Sequence, residues 1–130
     1  MQETIPPPTS SAAEEHGITA TLDRFCQPPY LEEDEDYTRP TQHAYTSAIK
    51  RIIQASDLMR EAFPEALLTT TEQGGINCYW RKPGFSVRLT IAGTPQGKDY
   101  VYVRDNGQSS LSEDVSVVHL AERLQEYNKR

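Results

Sequence analysis

Between Thr38 and Phe63 the apolar residues Ala44, Ala48, Ile52, Ala55, Met59 and Phe63 recur at spacings of three or four, which predicts a helix with one apolar stripe. Lys50, Arg51, Gln54, Asp57 and Arg60 fall largely away from that stripe, as an amphipathic surface helix requires. Thr38 or Thr41 can cap it, Pro40 suits its first turn and Pro64 marks its end.

From Ala66 to Arg104 the period changes to two, and turn residues divide the stretch into pieces of strand length. Leu67 to Thr71 reads as a first strand and Ile76 to Arg81 as a second, separated by Glu72-Gln73-Gly74-Gly75. Lys82-Pro83-Gly84 is a reverse turn, because proline presets one dihedral and glycine admits a positive one. Phe85, Val87, Leu89 and Ile91 then alternate with Ser86, Arg88 and Thr90, the pattern of a half-buried third strand. After Gly93-Thr94-Pro95-Gln96-Gly97, Asp99 to Arg104 reads as a fourth strand, closed by Asp105-Asn106-Gly107 and a polar loop to Asp114. A last helix is capped by Ser116 and carries Val117, Leu120, Ala121 and Leu124 on one stripe, with the basic end Lys129-Arg130.

Ahead of all this, Met1 to Gly17 holds Pro6-Pro7-Pro8 and Thr9-Ser10-Ser11, too little apolar surface to offset the entropy of ordering. Ile18, Leu22 and Phe25 fit a short helical turn or strand that docks on the domain, broken by Pro28-Pro29. Residues 1–37 are therefore expected to be a disordered or extended acidic leader and 38–130 a single α+β domain. Its expected form is a four-stranded antiparallel meander with the N- and C-terminal helices packed on one face, in the order α-β-β-β-β-α.

Charge sharpens the division. Through Pro40 nine acids stand against two bases, a local charge of −7, whereas the remaining ninety residues carry +1 of the net −6. The whole-molecule field repels phosphates, which argues against general attraction to nucleic acid or anionic membranes. Glu32-Glu33-Asp34-Glu35-Asp36 lies between Tyr30-Leu31 and Tyr37, a solvated linker or an acidic segment anchored on a basic surface by its tyrosines. No apolar run approaches the roughly 20 residues of a membrane span, and the N-terminus is no signal peptide, so a cytoplasmic protein without a membrane partner is expected.

Candidate chemistry is sparse. Cys26 and Cys78 are too few for a disulfide framework or a zinc site, and Cys78 sits at a core position of its strand. His16, His43 and His119 have no companion ligand at a spacing of three or four, so no metal is expected. Gly74-Gly75 precedes a strand and not a helix, which removes the phosphate-loop reading. No nucleophile has a base in view, and the mobile acidic run offers no dry pocket for proton transfer. No catalytic residue and no cofactor is assigned.

What remains is the outer face of the sheet. If Ile76, Cys78, Trp80, Phe85, Val87, Leu89, Ile91, Val101 and Val103 face the helices, then Asn77, Tyr79, Arg81, Ser86, Arg88, Thr90, Tyr100, Tyr102 and Arg104 face out. Tyrosine and arginine are enriched at interfaces because each combines large contact area with a polar handle. The candidate partner-binding residues are therefore Tyr79, Arg81, Arg88, Tyr100, Tyr102 and Arg104, with Tyr30 and Tyr37 of the acidic segment. They point to a non-enzymatic interaction module that binds a protein partner or a second copy of the chain. The alternative is a nucleic-acid-binding domain that stacks bases on the same face, although the phenylalanine-rich motif of sheet-based RNA binders is missing.

The run from Phe63-Pro64 through Gly74-Gly75-Ile76 and Trp80 to Tyr102 resembles a loose group of small uncharacterised bacterial proteins, familiar from cyanobacterial genomes. The resemblance covers roughly Thr38 to Arg104. It implies a partner protein encoded by a neighbouring short reading frame, of toxin-antitoxin or defence type, and carries over no catalytic residue. The group's Trp-Asp motif upstream of the first helix has no counterpart here, where Phe25-Cys26 and the acidic run stand instead.

Overall fold

A computed structural model describes residues 9–25, 39–59, 62–113 and 116–130. Its elements are helices α1 (Thr9–Phe25) and α2 (Gln42–Leu58), strands β1 (Leu67–Thr70), β2 (Ile76–Lys82), β3 (Phe85–Ile91), β4 (Tyr100–Asp105) and β5 (Gln108–Ser112), and helix α3 (Val117–Lys129). The acidic run Glu32 to Asp36, with Tyr30 and Tyr37, lies outside the described residues, as does Cys26.

Thr41 caps α2: its hydroxyl accepts from the Ala44 amide at 3.0 Å and donates to the Gly93 carbonyl at 2.5 Å, so the cap also ties the helix to the end of β3. Ala44, Ala48, Ile52 and Ala55 form the buried stripe of α2. Met59 and Phe63 are buried too, but past the helix, which ends at Leu58 and not at Pro64. Ser116 caps α3 by accepting from the His119 amide at 3.2 Å, and Leu120, Ala121 and Leu124 are buried.

The sheet is an antiparallel meander in the order β1-β2-β3-β4-β5, five strands where the sequence pattern predicts four. The extra strand is Gln108–Ser112, expected as loop. Asn106 (φ 51°) and Gly107 (φ 87°) both take the left-handed conformation, as a two-residue hairpin turn requires, and this turn returns the chain along β4. The strand itself shows no apolar alternation because four of its five residues are exposed.

The second correction concerns the N-terminal side. A helix from Thr9 stands where a leader is expected up to Gly17, and it extends the short helical turn that Ile18, Leu22 and Phe25 suggest. Ile18 and Leu22 pack against the core, and small residues bring the helix close: a Cβ on Gly17 would lie 1.8 Å from the Phe63 carbonyl oxygen, and the buried Thr21 hydroxyl accepts from the Ala66 amide at 3.0 Å while donating to the Gly17 carbonyl at 2.8 Å. Phe25 is fully buried, with its ring edge-on to Tyr45 at 5.7 Å. The described order is thus α-α-β-β-β-β-β-α.

One apolar core joins the three helices to one face of the sheet. Ile76, Cys78, Trp80, Phe85, Val87, Leu89, Ile91 and Val101 are buried there with Phe25, Ile52, Leu120 and Leu124. Val103, expected among them, is only half-buried. Trp80 stands edge-on to Phe63 at 6.1 Å and donates its indole N–H to the Pro64 carbonyl at 2.8 Å, which satisfies the one polar atom of the ring.

Candidate functional site

With the helices on one face, the pleat leaves the other face of the sheet uncovered among the described residues. Register then decides which side chains meet. Leu67 pairs with Tyr79, Tyr79 with Arg88, Arg88 with Tyr102, and Tyr102 with Leu111, so one row crosses all five strands. A second row runs Thr69, Asn77, Thr90, Tyr100, and a third runs Arg81, Ser86, Arg104, Ser109.

Six of the sequence-selected residues therefore share this face. Arg81 and Arg104 are exposed, whereas Tyr79, Arg88, Tyr100 and Tyr102 are half-buried by one another. The Arg81 guanidinium lies 4.9 Å from the centre of the Tyr79 ring, and that of Arg88 lies 4.8 Å from Tyr102 and 5.7 Å from Tyr100. Such stacking holds the cation over the negative face of the ring and leaves the N–H edges in plane. The Nε of Arg88 is buried beneath these contacts without a hydrogen-bond partner among the described residues. Tyr30 and Tyr37 fall outside the described residues, so the face is assembled without them.

Thr90 departs from the expected wet surface. It sits in an outward register position yet is only 7 % exposed, with its hydroxyl donating to the Asn77 side-chain oxygen at 2.7 Å. Sequence reasoning missed Leu67 and Leu111, 47 % and 58 % exposed, at the two ends of the central row. The available signal for Leu111 was the Asn106-Gly107 dipeptide, which sets a hairpin register and puts Leu111 opposite Tyr102.

At the turn end of the face, a cavity of ≈ 260 Å³ is lined by Arg81, Ser86 and Arg104 together with Gly84, Asn106 and Gly107 of the two hairpin turns. Pockets that enclose a small molecule run to about 300–1,000 Å³, so this one has room for a side-chain head group. Beside Thr90 and Tyr100, at the other end, lies a second open cavity of ≈ 450 Å³.

Cys78 is buried in the opposite face, where desolvation pushes its thiol up to about 12 and keeps it in the unreactive protonated form. Among the described residues no group of three or more His, Cys, Asp or Glu is placed to hold a metal ion, and no helix is long and apolar enough to cross a membrane. Comparison of the chain with protein-family models, with curated proteins and with solved structures returned no match.

Proposed function

We propose that the chain is a non-enzymatic protein-interaction module whose binding surface is the uncovered face of its sheet. The observation that carries this reading is the unbroken row Leu67, Tyr79, Arg88, Tyr102, Leu111, which sets apolar ends around a Tyr-Arg-Tyr centre on a sheet face free of helices among the described residues. Rigid strands present these side chains, so little ordering entropy is lost when a partner covers them. Tyrosine and arginine anchors at the centre of a patch are the residues whose truncation most often weakens a complex by 2 kcal/mol or more, on the order of a 30-fold loss.

The test is affinity capture from the native cell with the full chain and with Tyr79→Ala/Tyr102→Ala. Both tyrosines lie outside the core, so the double variant should retain its thermal transition and lose the captured protein. Capture that persists unchanged would remove the sheet face from the proposal. Base stacking on the same tyrosines is the weaker reading, because their rings already hold the guanidinium groups of Arg81 and Arg88.

A further inference from the structure

The open face differs from the rest of the surface in how its cations are used. Arg24, Arg51, Arg123 and Arg130 lie off this face, and each meets a carboxylate, on Glu65, Asp99, Glu126 and Asp105 respectively. Arg81, Arg88 and Arg104 form no ion pair among the described residues. No Asp or Glu occupies any outward position of the five strands. Beyond the strand ends, Lys98 and Glu113 neutralise each other at 3.4 Å.

Register fixes where the three arginines leave the backbone of the sheet. Arg81 and Arg104 both flank Ser86 from neighbouring strands, and Arg88 stands two residues along the same strand as Ser86. Strands about 4.8 Å apart put the Cα atoms of Arg81 and Arg104 roughly 10 Å from each other, with that of Arg88 on the diagonal about 7–8 Å from each. The cavity between the two hairpin turns opens beside Ser86 and is lined by Arg81 and Arg104, with Arg88 two residues further along β3 on the side away from the turns.

We propose that the Arg81, Arg88, Arg104 triangle receives the carboxylates of an acidic segment on a protein partner; this rests on the reading of the open face as an interface. A guanidinium stacked on a tyrosine keeps its in-plane fork of donors, which matches a carboxylate in bidentate fashion. Leu67 and Leu111 at the ends of the row ask for apolar contact, which a peptide offers and a sugar-phosphate backbone does not. A second copy is disfavoured, since two-fold pairing would set the three arginines against themselves.

The experiment uses the full chain and follows the anisotropy of a fluorescein-labelled glutamate-rich peptide, with its glutamine counterpart as control. The glutamate peptide should bind with an affinity that falls as salt rises, and the glutamine peptide should not. Arg81→Gln/Arg104→Gln should weaken binding about tenfold, and Lys98→Gln should leave it unchanged. Both arginines are exposed, so an unaltered melting temperature is expected and shows that the variant is folded.

Equal binding of the glutamine peptide, or no effect of the arginine exchange, would overturn the carboxylate receptor. Preferential displacement by single-stranded RNA would assign the triangle to nucleic acid, and a dimer lost in Tyr79→Ala/Tyr102→Ala would assign it to a second copy. Binding that emerges only when Glu32, Glu33, Asp34, Glu35 and Asp36 are exchanged for their amides would name this chain's own run as the occupant. Each of these outcomes contradicts the proposal. Capture that depends on the tyrosines but not on the arginines would leave the interface standing and refute its acidic partner.

Discussion

Single residues hold the layers of this fold together, and two of them give sharp tests. Thr21 joins α1 to the chain ahead of β1 because its hydroxyl bonds both the Ala66 amide and the Gly17 carbonyl with no exposure to water. Thr21→Val keeps the shape and strands a buried N–H, which costs about 1–3 kcal/mol. The urea midpoint should fall accordingly, and an unchanged midpoint would contradict the docking of α1. Asp105 is the second case. Arg130 donates to both of its carboxylate oxygens, at 2.9 and 2.7 Å, and holds the carboxyl below its ordinary value. A carboxyl lowered in the folded state stabilises above its unfolded value and loses that contribution as pH falls through the lower folded value. Stability of the natural chain should therefore decline below about pH 4 more than that of Asp105→Asn, as read by urea unfolding across the acid range. The caps Thr41 and Ser116 and the core placement of Trp80 and Cys78 were all legible from residue type and spacing. The Asp105–Arg130 clasp was not, because no local pattern says that the end of α3 crosses the β4–β5 turn.

Elements were legible where burial imposes a period. α2 buries every fourth or third residue and β3 every second, so their patterns stand out; the spacing places β3 at its observed limits and α2 at its start, but puts the end of α2 more than a turn too late because Met59 and Phe63 stay buried past Leu58. β5 buries almost nothing, which removes the period and leaves the turn as its only signature. Of α1 only the second half was legible, from Ile18, Leu22 and Phe25, which pack on the core; the contact with Phe63 and Ala66 runs through Gly17 and Thr21, small residues that allow close approach and add nothing to an apolar pattern. The hairpin that adds β5 has its own test. Gly107 has φ 87°, a conformation that costs a β-branched residue about 1–2 kcal/mol or more. In Gly107→Val, amide exchange should accelerate across Gln108 to Ser112 while β2 and β3 stay protected. Uniform acceleration through the sheet would show instead that β5 is integral to the global fold.

At the scale of the whole molecule, an α+β chain with helices on one side of an antiparallel sheet must do something with the other side. The alternation of strands β2 to β4 already indicated which residues occupy it, and Tyr79, Arg81, Arg88, Tyr100, Tyr102 and Arg104 follow from that parity. Of the two leucines that complete the central row, Leu111 was signalled only by the Asn106-Gly107 turn, and Leu67 needed the register of the first strand, which no spacing rule supplies. A binding surface must first be accessible, and thiol labelling of the full chain reads this directly. In a Cys26→Ser background, Leu67→Cys and Leu111→Cys should react with a thiol reagent at the rate of a free cysteine, while native Cys78 stays unreactive until the chain unfolds. Protection of both introduced thiols to the level of Cys78 would mean that the face is covered, and would contradict its role as the binding surface.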